Sequence, residues 1–393
     1  MADNGMKLKH GLHLAYSTNV HRGEDWAQTF GALKRHTLAV KQRVCPDRPY
    51  GIGLRLSNMA SEELSEPGPL REFQRWLAQN GCYVFTINGF PYGRFHGTRV
   101  KEEVYRPDWT TPERLAYTNR LFDLLARLVP EGVEGSVSTS PGSFKEFITH
   151  PAQEQAIRDN LWRCVEHVAK LSETGGRQLH LGLEPEPLGW LENSAETVAF
   201  FQQMRREHPD DPRLDAHLGV NYDACHFAIE YEEPAAAIGA LHAQHIKLSK
   251  LHLSSALKLL PTAAAREALK AFADDTYLHQ VVALNHNGSQ EIYRDLAPAL
   301  KAAARVEPAR EWRVHFHIPL HSPGTDWYET TSDHVIGLLD LLKADPAMCS
   351  HLEMETYTWD VLPPGLKDRS VEEQLAAEYA WTLQRLRERG LAD

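Results

Sequence analysis

The stretch LHLGLEPEPLGWLEN, residues 179–193, decides how the chain is read. Its first half alternates leucine with small or polar residues, the period-two pattern of a strand with a buried face. It then sets Glu184 and Glu186 each directly before a proline. Residues two apart on a strand point the same way, so these acids, with Gly182, predict a strand whose inward face turns acidic at its C-terminal end. A buried carboxylate is costly without a partner. The pattern therefore predicts either a rim ion pair with Arg or Lys, or a bound cation.

Outward from this strand, similar apolar runs recur at 13–19, 50–57, 82–89, 135–140, 217–224, 245–255 and 351–359. Between them lie amphipathic stretches such as PERLAYTNRLFDLLARLVP and EQAIRDNLWRCVEHVAKLSETGG, the latter ending in a Gly-Gly helix stop. Strands alternating with helices predict a parallel α/β architecture. An open doubly wound sheet and a closed (β/α)8 TIM barrel both satisfy the alternation. The count of eight favours the barrel, as do polar groups at the ends of many different strands, because a barrel gathers side chains around its whole rim. No GxGxxG or GxxxxGK[ST] follows any of these runs, so no nucleotide cradle is expected.

Residues 1–393 are read as a single barrel domain. The connection between the seventh and eighth strands is elaborated, with 256–312 as an insertion: a helix over 262–274, a strand-like 276–285 and a helix over 289–305. WRVHFHIPLHSPG (312–324) follows it, and 370–391 reads as a C-terminal packing helix.

With 42% hydrophobic and 24% charged residues the composition is that of a soluble globular protein. No run of 18 apolar residues predicts a membrane span, and the N-terminus lacks a secretory pattern. Cysteines at 45, 82, 164, 225 and 349 show no CxxC spacing, which argues against disulfide frameworks and cysteine zinc sites and makes a reducing cytoplasm the expected compartment. The net charge of −11 and the lack of a basic stripe make nucleic acid an unexpected partner. The 21 histidines point instead toward metal chemistry.

The later strand ends carry the chemistry. NYDACHF sets Asp223 and His226 at DxxH spacing, although an Asp there also suits a helix cap. IKLSKLHLSS alternates Lys250 and His252 onto one face, where a histidine is equally at home as a satisfied core residue. HLEMETYTW puts Glu353 and Glu355 on one face, Glu355 nearer the mouth and Glu353 a layer deeper, in need of a base such as Lys250. Strands five to eight thus bring Glu, Asp, His and Glu to one mouth. That set suits one divalent cation with open coordination positions: Mn, Zn, Mg, Co or Fe. Asn19, His21, Asn58, Asn88, Tyr92, Arg94 and His96 lie where a hydroxyl-rich substrate would be gripped, and turn chemistry explains them equally. Trp190, Trp327 and Trp359 are candidates for apolar walls or for packing.

Glu at the end of strand five, DxxH after strand six, KLHLS and METYTW together resemble the xylose-isomerase-like (AP-endonuclease-2-like) barrel superfamily, which holds sugar isomerases, epimerases and endonuclease IV. The combination LHLAYSTNVHRGEDW, FTINGFPYGRFHG, LGLEPEP, YDACHFA, HFHIPLH and METYTW, spanning about residues 12–365, resembles the EboE-type metabolite traffic proteins of bacterial secondary-metabolite clusters. The resemblance implies metal ligands at Glu184, Asp223, His252 and Glu355, with His317 as an extra ligand. It implies His226 as a substrate or outer-shell contact. By their positions Glu186, Asn88 and Lys250 are read as further substrate contacts, and His315 and His321 as groups that bind substrate or complete the metal shell. Endonuclease IV also uses histidines at the ends of strands two and three; here those ends read RLSN and TING, which favours one metal over three.

The expected activity is a metal-dependent isomerisation or epimerisation of a sugar, sugar phosphate or cyclitol-type metabolite, with Glu184 and Glu355 as the catalytic carboxylates. The alternatives are a phosphoester hydrolase of endonuclease IV type and a non-catalytic metabolite-binding protein. Expected partners are a small-molecule metabolite and other proteins of the same cluster; the sequence sets no oligomeric state.

Overall fold

The computed structural model describes residues 8–94, 96, 97, 99–303 and 309–393. In chain order its strands are β1 (His13–Tyr16), β2 (Tyr50–Arg55), β3 (Cys82–Asn88), β4 (Gly135–Thr139), β5 (Leu179–Leu183), β6 (Leu218–Asp223) and β7 (Lys247–Leu253). There follow β8 (Leu257–Leu259), β9 (Val281–Leu284), β10 (Gln290–Tyr293), β11 (Glu311–Val314), β12 (Glu329–Thr330) and β13 (His351–Met354). Eight of them pair in parallel in the order β1-β13-β7-β6-β5-β4-β3-β2. A bridge from Ser17 to Gly53 joins the two end strands, and Arg55 N–H donates to Thr18 Oγ1 at 2.8 Å beside it. The expected (β/α)8 barrel is present, with β13 as its eighth strand.

All eight barrel strands stop short of their predicted C-terminal ends. β5 ends at Leu183 instead of Glu186. Pro185 and Pro187 have no N–H for the ladder, and the chain folds back so that Glu186 N–H reaches Leu191 O at 3.2 Å. β13 ends at Met354, and Tyr357–Val361 coils as a short 3-10 helix where the sequence suggested more strand. Alternation continues in the sequence past each strand, but the backbone has already turned to build the rim.

The β7–β13 connection forms an antiparallel sheet of order β10-β9-β11-β8-β12. The predicted helix over 289–305 is corrected here. Gln290–Tyr293 pairs with Val281–Leu284 as a hairpin, and helix begins only at Leu296, running to Ala303; residues 304 and 305 lie outside the described set. The turn signal is Asn287-Gly288, with Gly288 at φ +84°.

Helices pack their apolar faces on the outside of the barrel in one continuous core. Their ends follow side-chain chemistry. Ser57 and Asn193 cap the helices Asn58–Ser65 and Ser194–Glu207, and Gly176, at φ +62°, terminates Pro151–Gly175. Ser370 and Glu373 form a capping box that starts the last helix, Val371–Glu388. From that helix Glu378 Oε1 accepts Leu320 N–H at 3.1 Å and the Thr356 hydroxyl at 2.6 Å, pinning two segments near the mouth. No helix among the described residues is long and apolar enough to cross a membrane.

Candidate metal centre

Glu184 follows β5 and Glu355 follows β13, while Asp223 ends β6 and His252 lies near the end of β7. One ligand atom from each lies within 4.8 Å of the other three, and all four residues are buried. His252 Nδ1 stands 3.2 Å from Glu184 Oε1, 3.3 Å from Asp223 Oδ2 and 3.4 Å from Glu355 Oε2. Asn221 Nδ2 lies 3.2 Å from the same nitrogen.

Asp223 caps the following helix with one oxygen and turns the other toward the cluster. Oδ1 accepts Cys225 N–H at 2.8 Å, His226 N–H at 3.2 Å and the Ser254 hydroxyl at 2.5 Å, which is capping. Oδ2 has no hydrogen-bond partner and faces His252. Burial would raise the Asp223 pKa, yet His226, His252 and His317 hold it well below the usual aspartate range.

The orientation of His252 is set from below. Its Nε2–H donates to Glu353 Oε2 at 2.8 Å, which turns Nδ1 toward the carboxylates. Glu353 in turn takes Lys250 Nζ at 2.5 Å, and Lys250 also donates to Ser138 Oγ at 3.0 Å. Burial works against the Glu353 anion, but Lys250 and His252 bring its pKa down to about 2. Gly53 makes room for this pair: a Cβ there would overlap Glu353 Oε1.

The four-residue set fits a divalent cation. It holds three carboxylates and one imidazole, with Glu184 Oε2 and Asp223 Oδ2 buried and unpartnered. Burial opposes a charge on His252, but Glu355, Glu184 and Asp223 outweigh it and raise its pKa well above the usual histidine value. The cluster demands positive charge at Nδ1, and oxygen with imidazole nitrogen is the donor chemistry of Mn, Fe, Co, Zn or Mg sites.

Beside this set stands a second group, Glu186, His226 and His315. His226 Nδ1–H donates to Pro185 O at 3.0 Å. Gln280 Nε2 donates to Pro187 O at 3.0 Å, so its Oε1 accepts His315 Nδ1–H at 2.8 Å. Both histidines therefore present a bare Nε2, and the two nitrogens lie 3.2 Å apart. Burial lowers the pKa of both, aided for His315 by His226 and His317. Burial and the neighbouring Glu184 and Asp223 push Glu186 well above the usual carboxylate range.

His317 groups with Asp223 and His226, outside the set of four. Its Nδ1–H donates to Glu355 O at 2.9 Å, leaving Nε2 without a partner.

A cavity opens over the centre. Glu184, Glu186, His226, His315, Glu355 and Asn88 are on its wall. Two expected substrate contacts are not. Lys250 lies a layer below, held by Glu353, and His321 sits near Arg369 and Asp368. Asn88 Nδ2 donates to Glu355 Oε1 at 3.0 Å, as does Asn19 Nδ2 at 2.7 Å, so both orient that carboxylate.

The aromatic walls are not the three tryptophans but Phe90, Tyr105, Tyr277 and Tyr357. Trp190 packs on Phe200, and Trp327 on Phe272. The segment after FTING carried the missed signal, with Phe90 and Tyr105 in a loop rich in aromatic residues. Tyr277 was hidden in a run read as strand.

No family model matches the sequence, and no curated protein matches it. Among solved structures, an L-ribulose 3-epimerase superposes with a TM-score of 0.51 at 12% identity, over 96% of this chain and 95% of that one. The IolI protein with a bound zinc atom superposes with a TM-score of 0.50 at 11% identity, over 95% of this chain and 98% of that one. At these identities the likeness is one of fold alone, a (β/α)8 barrel shared along nearly the whole length of each chain.

Proposed function

We propose that the protein is a divalent-metal-dependent isomerase or epimerase acting on the α-hydroxycarbonyl unit of a polyhydroxylated small molecule. The observation that carries this reading is the double membership of Glu184 and Glu355. Both belong to the four-residue set and both face the cavity, whereas Asp223 and His252 belong to the set but not to the cavity wall.

Glu184, Asp223, His252 and Glu355 would hold the cation. Bound there, a divalent ion supplies Lewis acidity to a carbonyl and its neighbouring hydroxyl, favouring loss of the proton between them. Glu184 and Glu355 enter from strands separated by β6 and β7. One carboxylate removes the proton and the other returns it, on the opposite face for an epimerisation. Asn19 and Asn88 fix Glu355 by hydrogen bonds to Oε1. His226 and His315, each with a bare Nε2, accept hydrogen bonds from substrate hydroxyls. The epimerase and the zinc-bearing IolI among proteins of this fold support the reading. The finer assignment to EboE-type metabolite traffic proteins, and to a secondary-metabolite pathway, rests on the sequence motifs.

The test is hydrogen exchange. Metal-reconstituted protein is incubated in D2O with a panel of ketoses and keto-cyclitols, and loss of the α C–H signal is followed by proton NMR. Wild type should incorporate deuterium into at least one compound, and Glu355→Gln should abolish it. Undiminished exchange in Glu184→Gln and Glu355→Gln would overturn the assignment.

A further inference from the structure

The cavity has two unlike ends. Its polar groups gather at the centre: Glu184, Glu186, Glu355, His226 and His315. The remainder is walled by Phe90, Pro91, Val100, Val104 and Leu278, together with tyrosine rings. These apolar residues are not part of the main core. Phe90, Tyr105 and Leu278 cluster with Phe144, and Val100 clusters with Tyr277, while Val104 packs against both groups. The wall is therefore continuous, built by the loop after β3 and by the segment before β9.

The Tyr105 hydroxyl and Asn19 Oδ1 lack hydrogen-bond partners, but they stand beside Glu186 and Glu355 at the polar end; the polar side chains farther along the wall are engaged. Lys101 is the one cationic side chain lining the cavity among the described residues, and its Nζ is held by Asp295 Oδ2 at 2.6 Å and Asp274 O at 3.0 Å. Gln280 is fixed by Pro187 and His315. The Tyr277 hydroxyl bonds His96 Nδ1 at 2.7 Å. A substrate hydroxyl here would lose water without gaining a partner. A phosphate would find no free cation and three carboxylates nearby.

We propose that the substrate carries an apolar substituent, of alkyl or aryl type and not phosphorylated, on the side of the α-hydroxycarbonyl unit away from the metal centre. This narrows the sugar, sugar phosphate and cyclitol range to a hydroxyketone bearing a hydrophobic group, and it rests on the isomerase reading above. Burying such a group against this wall strengthens binding in proportion to the apolar area removed from water.

Three probes that differ only at that position test it: dihydroxyacetone, dihydroxyacetone phosphate and 2-hydroxyacetophenone. Each is titrated into the Co2+-loaded protein, and the visible bands of the bound cobalt report occupancy at the centre. 2-Hydroxyacetophenone should bind roughly ten- to hundred-fold more tightly than dihydroxyacetone, and the phosphate no more tightly than dihydroxyacetone. Val104→Lys, at a half-buried wall position, should bind cobalt normally, lose the preference for the phenyl compound and gain affinity for the phosphate. Equal or tighter binding of dihydroxyacetone or its phosphate by wild type overturns the inference and leaves the metal reading standing. Cobalt bands that do not depend on Glu184 overturn the metal reading, and this inference with it.

Discussion

The barrel interior buries carboxylates in two adjacent layers and handles them in opposite ways. In the lower layer Glu353 Oε2 meets Lys250 at 2.5 Å and His252 at 2.8 Å, so its charge is balanced by protein groups, although Oε1 has no hydrogen-bond partner. In the upper layer Glu184, Asp223 and Glu355 converge on one imidazole and leave carboxylate oxygens without partners. Burial is nearly total in both. The lower layer therefore balances its charge within the protein, and on the proposed reading a bound cation completes the upper one. A fifth buried carboxylate, Glu378, adopts another solution. Burial raises its pKa to about 7, so it holds its proton well above the pH at which an ordinary glutamate ionises.

The sharpest way to break the comparison is to unbalance the lower layer. Lys250→Met strands the Glu353 charge and should destabilise the fold by about 3–5 kcal/mol in urea titration. Lys250→Met with Glu353→Gln should recover most of that loss; failure to recover would show that the pair is not self-contained.

The upper layer should respond to metal instead. Chelation should lower the melting temperature, and a divalent ion at about a thousand times its dissociation constant should restore roughly 4 kcal/mol. Glu184→Ala should be insensitive to the same addition.

Glu378 gives a pH signature. Its pKa is about 7 in the fold against 4.5 for an ordinary glutamate. Its stabilising contribution is fully present below pH 4.5 and is lost as pH rises through 7. Glu378→Gln should match wild type at pH 4 and exceed it by up to about 3 kcal/mol at pH 9, read by denaturant unfolding.

The smallest effect tests the link between the layers. Glu353→Gln weakens the hold on His252 Nε2–H and should lower metal affinity by roughly 10- to 100-fold, measured by chelator competition.

The strands and the acids at their ends were legible because period-two alternation and an acid in an apolar run are local signals. The Lys250–Glu353 pair was legible because a deep acid requires a base. What sequence did not reveal depends on where chains meet. Lys250 shared a face with His252 and was expected at the substrate, but its bond to Glu353 keeps it below the mouth. His321 followed the HxH pattern of His315 and His317 until the chain turned toward Arg369. The apolar wall joins a loop after β3 to a segment about 180 residues later, a pairing that no local pattern encodes; Tyr277 bonding His96 marks the junction. The strand ends were overrun because Pro185 and the turn after Met354 redirect a backbone whose side-chain pattern continues.

The most direct test of the central claim is the metal content of protein purified without chelator, set beside Glu184→Ala. The account predicts about one divalent ion per chain in wild type and a loss of at least roughly 100-fold in affinity in the variant. No bound metal after repletion with Mn, Zn, Mg, Co and Fe, or equal occupancy in Glu184→Ala, would contradict it.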